Sequence, residues 1–248
     1  MSGPKRRELL ASTSVALLSS AAMLPASSPA LGAVVKGELP WMPGVANPPA
    51  AVEPGSWQYF KPEEGTAVEA IVDRLIPPDP ETPGGKDSGC AVFIDRQLAS
   101  PYGRFDDRYM KGPFHPGTKE QGDQSPLTPA QHYRLGLAAL DKYSRSSSGG
   151  TAFAQLPDER KDAVLKGLED GSVKLDEVDG QQFFTLVLTD TKHGFFADLV
   201  YGGNKGMVAW RMIGFPGARY DYRDWVHRHN ERYPLPPVSI REHPNWKP

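Results

Sequence analysis

Apolar residues in this chain recur at the three-and-four spacing of helices and almost nowhere at the alternating spacing of strands, which restricts the fold to a helical one. Val68, Ile71, Val72 and Leu75 follow Pro62 and the acidic pair Glu63-Glu64. That is a helix opening on proline with carboxylates at its positive dipole end, and Pro77-Pro78 closes it. Cys90, Phe93, Ile94 and Leu98 mark a second, shorter helix with Ser88 as its cap. Thr128-Pro129-Ala130-Gln131 joins an N-cap, a proline at the first helical position and a glutamine three residues on, a capping box for a helix through Tyr133, Leu137 and Leu140 to Ser144. Asp158-Glu159 opens another helix, with Val164, Leu165 and Leu168 on its apolar face and Gly171 at its end. Asp179-Gly180-Gln181-Gln182 repeats the cap signal before Phe183, Phe184, Leu186, Val187 and Leu188, a run read as fully buried. A last helix is expected from Tyr222 to Glu231.

The connections are long, because glycine and proline number 25 each. Residues 34–61 hold Pro40, Pro43, Pro48, Pro49 and Pro54 together with Trp41 and Trp57, an extended arm whose indoles either dock on another surface or pack back on the home domain. The tail, residues 233–248, has the same character and carries Trp246. The expectation is therefore a single irregular all-α domain over residues 62–232 between two extended arms. The span 100–126 has no helical pattern, and a loop of that length in a compact domain is expected to bind something.

His193 to Gly217 packs five aromatics and six glycines into 25 residues with almost no ordinary helix pattern. It reads as a shaped loop. Gly202-Gly203, Gly206, Gly214 and Gly217 permit positive φ and close backbone approach, Pro216 fixes one φ, and Phe195, Phe196, Tyr201, Trp210 and Phe215 supply large amphipathic contact area. Either the segment is a recognition face or it closes the chain's own core.

The N-terminus reads as an address. Lys5-Arg6-Arg7 precedes a weakly apolar stretch diluted by Ser12, Ser14, Ser19 and Ser20, then Pro25 and the small residues Ala30-Leu31-Gly32-Ala33. Arg6-Arg7 in this setting resembles a twin-arginine export signal over residues 1–33, with an ordinary secretory signal or a basic tail as the alternatives. The apolar stretch is shorter than the ~20 residues needed to span a bilayer. A net charge of −2 without a basic stripe gives no nucleic-acid footprint.

Cofactor chemistry has little to stand on here. Covalent haem needs C-x-x-C-H and iron–sulfur clusters need several thiolates, whereas Cys90 is the single cysteine. It is either buried or paired with another chain. Gly202-Gly203-Asn204-Lys205-Gly206 has the wrong spacing for a dinucleotide fingerprint. His227 and His229 point apart on a helix, and share an ion only on a strand with His243 or Asp224. Asp190, His193 and Asp198 could host acid–base chemistry or satisfy loop backbone. Asn204, Asp198 and Arg211 beside the aromatics also permit a sugar-binding module.

The runs AVEAIVDRLIPPD (Ala67 to Asp79), AVFIDRQLASPYG (Ala91 to Gly103), HYRLGLAALD (His132 to Asp141) and HGFFADLVYGGNKGMVAWRMIGFPGA (His193 to Ala218) resemble the small, gamma subunit of membrane-bound gluconate 2-dehydrogenase. The resemblance implies a chain with no cofactor and no catalytic residue of its own. It implies as partners an FAD-containing large subunit that oxidises the sugar acid and a multihaem cytochrome c subunit passing electrons towards ubiquinone. This chain would assemble and export the flavoprotein through the twin-arginine translocon, and would reach the periplasmic side of the inner membrane only through the complex. Related glucose or polyol dehydrogenases share this organisation. The residues expected to hold the partner are Tyr201, Gly202, Gly203, Asn204, Trp210, Phe215, Pro216 and Gly217, with Trp41, Trp57 and Trp246.

Overall fold

A computed structural model describes residues 56–240, apart from 116, 123, 220, 221 and the side chain at 119. The leader with Arg6 and Arg7, most of the first arm with Trp41, and the end of the tail with Trp246 lie outside the described residues. Among the described residues there are seven α-helices: α1 (Pro62–Leu75), α2 (Cys90–Ala99), α3 (Pro101–Arg104), α4 (Pro129–Ser147), α5 (Asp158–Asp170), α6 (Gly180–Phe196) and α7 (Val208–Ile213). The all-α expectation holds, and among the described residues the β content is one isolated bridge between Gly217 and Val238.

The end signals act as their chemistry requires. Thr128 Oγ1 accepts from Gln131 N at 3.3 Å while Gln131 Oε1 accepts from Thr128 N at 2.9 Å. Asp179 Oδ1 accepts from both Gln181 N and Gln182 N. Gly171, in the left-handed region at φ 77°, ends α5. Two expectations about ends are corrected. α2 is preceded by Gly89 at φ 81°, and Ser88 is buried with its hydroxyl donating back to Pro83 O, so it is no cap. The helix expected from Tyr222 to Glu231 is a single 3-10 turn, Arg223–Trp225, because it has no apolar stripe to bury and Val226 stands in solvent.

The core lies where α6 meets α2, α4 and α5, with α1 closing one side. Tyr133, Phe153 and Phe183 are its largest fully buried side chains, each worth about 1.5–3 kcal/mol of removed apolar surface. Leu186 and Leu188, read as fully buried, are half-buried, since α6 turns that flank away from the core. Cys90 is fully buried, and loss of water pushes its thiol up to about 12, which removes the option of a disulfide to another chain.

The described end of the first arm is fixed by one carboxylate. Asp95 on α2 is fully buried, accepts from Gln58 N, Tyr59 N and Phe60 N at 2.8, 2.9 and 3.0 Å, and pairs with Arg96. Trp57 thereby packs on the home core, edge-on to Phe60, so of the two roles open to it the inward one is realised. Asp95→Asn keeps one acceptor oxygen and should cost about 1 kcal/mol in denaturant unfolding. Its sharper readout is faster amide exchange at residues 58–60, with α4 unaffected.

Candidate functional site

The segment from His193 onwards is more helical than its glycine content suggests. α6 continues to Phe196, and after 3-10 turns at Leu199–Tyr201 and Lys205–Met207 the chain enters α7. Gly202 and Gly203 are buried rather than displayed, which corrects their expected place on the surface. A Cβ at Gly203 would fall onto the carbonyl oxygen of Gly194 in α6, and one at Gly89 onto that of Gly202. Gly89 and Gly203 thus let three backbones touch where α6, the head of α2 and the loop converge. Lys205 N donates to Ser88 O at 3.0 Å and seals the contact.

Asn204 organises the next turn. It is fully buried at φ 46°, its Nδ2 donates to Ala197 O and its Oδ1 accepts from Ala209 N in the first turn of α7, both at 2.9 Å. Trp210, expected as an exposed anchor, is 6% exposed: its Nε1 donates to Phe196 O at 2.8 Å and its ring meets Phe215 edge-on. With Leu199 and Met207 it forms a small second core. Gly217, also buried, lies against the backbone of Val238, where Ala218 N donates to Val238 O, and Pro216 is half-buried beside it.

What this platform presents outward is apolar. Tyr201 is 51% exposed, Ile213 57%, Phe215 44%, and Phe196 and Met212 are comparably open. These five of the nine exposed large hydrophobic side chains among the described residues come from the short stretch between the end of α6 and the second residue after α7. Of the residues expected to hold a partner, the structure places Tyr201 and Phe215 on this surface and uses Asn204, Trp210 and the glycines to build it. The sequence reading named Phe196 among the aromatics of this segment and missed Met212 and Ile213. The spacing of Met212 and Ile213 after Trp210 carried the signal once 208–213 is taken as a helix.

Two of the three polar groups proposed for sugar binding here, Asn204 and Asp198, are committed elsewhere, while Arg211 is exposed. Both ends of the Asn204 amide bond backbone. Asp198 accepts from Val200 N, Ser239 Oγ and Ile240 N, tying the tail to the end of α6. Asp198 therefore does not join Asp190 and His193, which line a cavity of about 1150 Å³ between α3, α4, α6 and the 105–127 segment. At its edge Asp190, 5% exposed, accepts from Tyr102 Oη at 3.3 Å and Tyr133 Oη at 3.0 Å. Burial pushes its carboxyl up to about 6 against the opposing pull of the two tyrosines and His193.

That shift carries a stability sign. The folded value lies above the ordinary carboxylate value of 3.8, so as pH falls the native state takes the proton first. This group then adds stability from about pH 6 down to about pH 4 and costs about 3 kcal/mol while charged at neutral pH. Asp190→Asn, allowing for one weakened tyrosine hydrogen bond, should stabilise the chain by about 2 kcal/mol at pH 7.5. Thermal unfolding of both proteins across pH checks this: the gain should shrink below about pH 6. Destabilisation at every pH would contradict it.

Among the described residues no three His, Cys, Asp or Glu side chains are grouped to hold an ion, His227 and His229 are exposed, and the single thiol is sealed in the core. No helix among them is long and apolar enough to cross a membrane. In comparison with known proteins, the family model described as gluconate 2-dehydrogenase subunit 3 matches residues 62–217, which begins at α1 and ends at the buried glycine of the bridge. No curated protein matches the chain, and no solved structure does.

Proposed function

The chain belongs to the gluconate 2-dehydrogenase subunit 3 family, and from this premise we propose that it is the non-catalytic small subunit of a periplasmic, membrane-bound dehydrogenase complex. In this reading a large FAD-bearing subunit oxidises D-gluconate to 2-dehydro-D-gluconate, and a multihaem cytochrome c subunit takes the electrons towards ubiquinone. The small subunit holds the flavoprotein and accompanies it through the twin-arginine translocon. The observation that carries the reading beyond the family is the apolar surface of Phe196, Tyr201, Met212, Ile213 and Phe215, set on a glycine-packed base. An aromatic and aliphatic cluster on a rigid support has the make-up of an interface centre, where a few anchors supply most of the affinity. Permanent interfaces of this kind bury more than about 2,000 Å².

Purification of the tagged chain from membranes tests the proposal. A yellow flavoprotein and a haem protein should accompany it, and the mixture should oxidise gluconate while the chain alone does not. A chain that purifies alone under mild extraction would end it.

A further inference from the structure

The cavity beside α6 is independent of the apolar surface and of the function proposed for it. Its α6 wall is the solvent-facing flank of the helix, where Gln182, Thr185 and His193 are exposed, Leu186 and Thr189 half-buried, and Asp190 buried. Gln182, Thr185, Thr189, Asp190 and His193 recur at spacings of three and four and line the cavity. Asp190 sits where this flank meets the core, bonded to the hydroxyls of Tyr102 and the fully buried Tyr133. No Lys or Arg among the described residues forms an ion pair with it. A buried carboxylate without a cation is costly to keep for folding alone, and each oxygen retains capacity to accept a further hydrogen bond. A second part of the lining is aromatic, made by Tyr102 and Phe105, whose rings meet edge-on with centroids 6.2 Å apart, and by Phe114.

These two parts of the lining ask for different things of one ligand. Neutral amides and hydroxyls beside a carboxylate acceptor match a molecule with several hydroxyl donors, and aromatic rings match its C–H face. Asp190 disfavours an anionic group at the floor, and Arg108, stacked 4.4 Å over Phe105 at the cavity wall, disfavours a cation there. The volume is at the upper end of small-molecule sites, about 300–1,000 Å³, which leaves room for one or two rings.

We infer that the cavity between α3, α4, α6 and the 105–127 segment binds a small neutral polyhydroxylated molecule, a mono- or disaccharide or an open-chain polyol. Asp190, Thr189 and Gln182 bond its hydroxyls, and Tyr102 and Phe105 cover its carbon face. This assigns the small subunit a ligand site of its own, apart from any substrate pocket on a partner.

Saturation-transfer NMR on the purified full-length chain tests this with D-glucose, maltose, sorbitol, D-gluconate and choline chloride as probes. At least one of the three neutral probes should receive saturation and bind more tightly than gluconate or choline. Affinity should fall about tenfold or more in Asp190→Asn and in Thr189→Val, the latter with an unchanged melting temperature. No transfer to any neutral probe, transfer unaltered in both variants, or a preference for gluconate or choline would each overturn the assignment. Because the readout uses this chain alone, its failure would leave the assembly role standing, and loss of partner capture would leave this site standing.

Discussion

Ile213→Glu combined with Phe215→Glu should abolish co-purification of the proposed flavoprotein partner, lowering recovery by at least about a hundredfold, while the variant chain itself remains folded. Ile213 is 57% and Phe215 44% exposed, so a carboxylate at either position reaches water in the free chain and costs little there. In the complex the same carboxylates would be desolvated at the centre of an apolar contact without partners. The penalty for a buried unpaired charge is several kcal/mol per group, and about 2.7 kcal/mol already amounts to a hundredfold. The control is Val226→Glu, an equally exposed apolar residue on the single-turn segment after α7, which should leave recovery unchanged. Equal loss in the control, or full recovery with the double variant, would separate the surface at α7 from partner binding.

Gly203→Ala should be the most destabilising single methyl addition in the α6–α7 region, by about 3 to 4 kcal/mol, with a fall in melting temperature of about 10 °C. Its Cβ would meet the carbonyl oxygen of Gly194, which is held in the hydrogen-bonded frame of α6 and has no side-chain freedom with which to yield. By contrast Gly214→Ala adds a methyl into open space at φ 71° and pays only the left-handed backbone strain, about 1 kcal/mol. Comparing the two by thermal unfolding distinguishes a glycine kept for close backbone approach from one kept for its φ. The Gly203 variant should also weaken partner capture, because Asn204 and the first turn of α7 follow directly from it.

The elements legible in the sequence are those fixed by chemistry within a few residues. Thr128 with Gln131 and Asp179 with the following amides announce helix starts because the bonds they make span only two or three positions. Apolar positions such as Val68, Ile71 and Val72 mark a core face for the same local reason. What could not be read is set by distant residues. Gly194 looks like a breaker, yet α6 runs through it, since the missing side chain there leaves room for Phe93 rather than for a turn. Trp210 looks like an exposed anchor until the Phe196 carbonyl, fourteen residues earlier, is brought to its Nε1. Asp95 gives no sign in sequence that it gathers three amides from residues 58–60. Of the candidate site, Tyr201 and Phe215 were visible as unusual aromatics, whereas the cavity was hidden because Asp190 follows an apolar run. The stripe of Gln182, Thr185, Thr189 and His193 was the available clue, a polar helical period laid across a helix otherwise read as buried.

Amide hydrogen exchange on the chain, free and bound to its purified flavoprotein, tests the central claim most directly: that the surface raised on α6, Gly202-Gly203 and α7 is where the partner sits. Binding should slow exchange at residues 196–201 and 208–215 and leave 58–60 and the first turns of α4 as they are in the free chain. Unchanged exchange over 208–215, with protection appearing elsewhere on a bound chain, would contradict it.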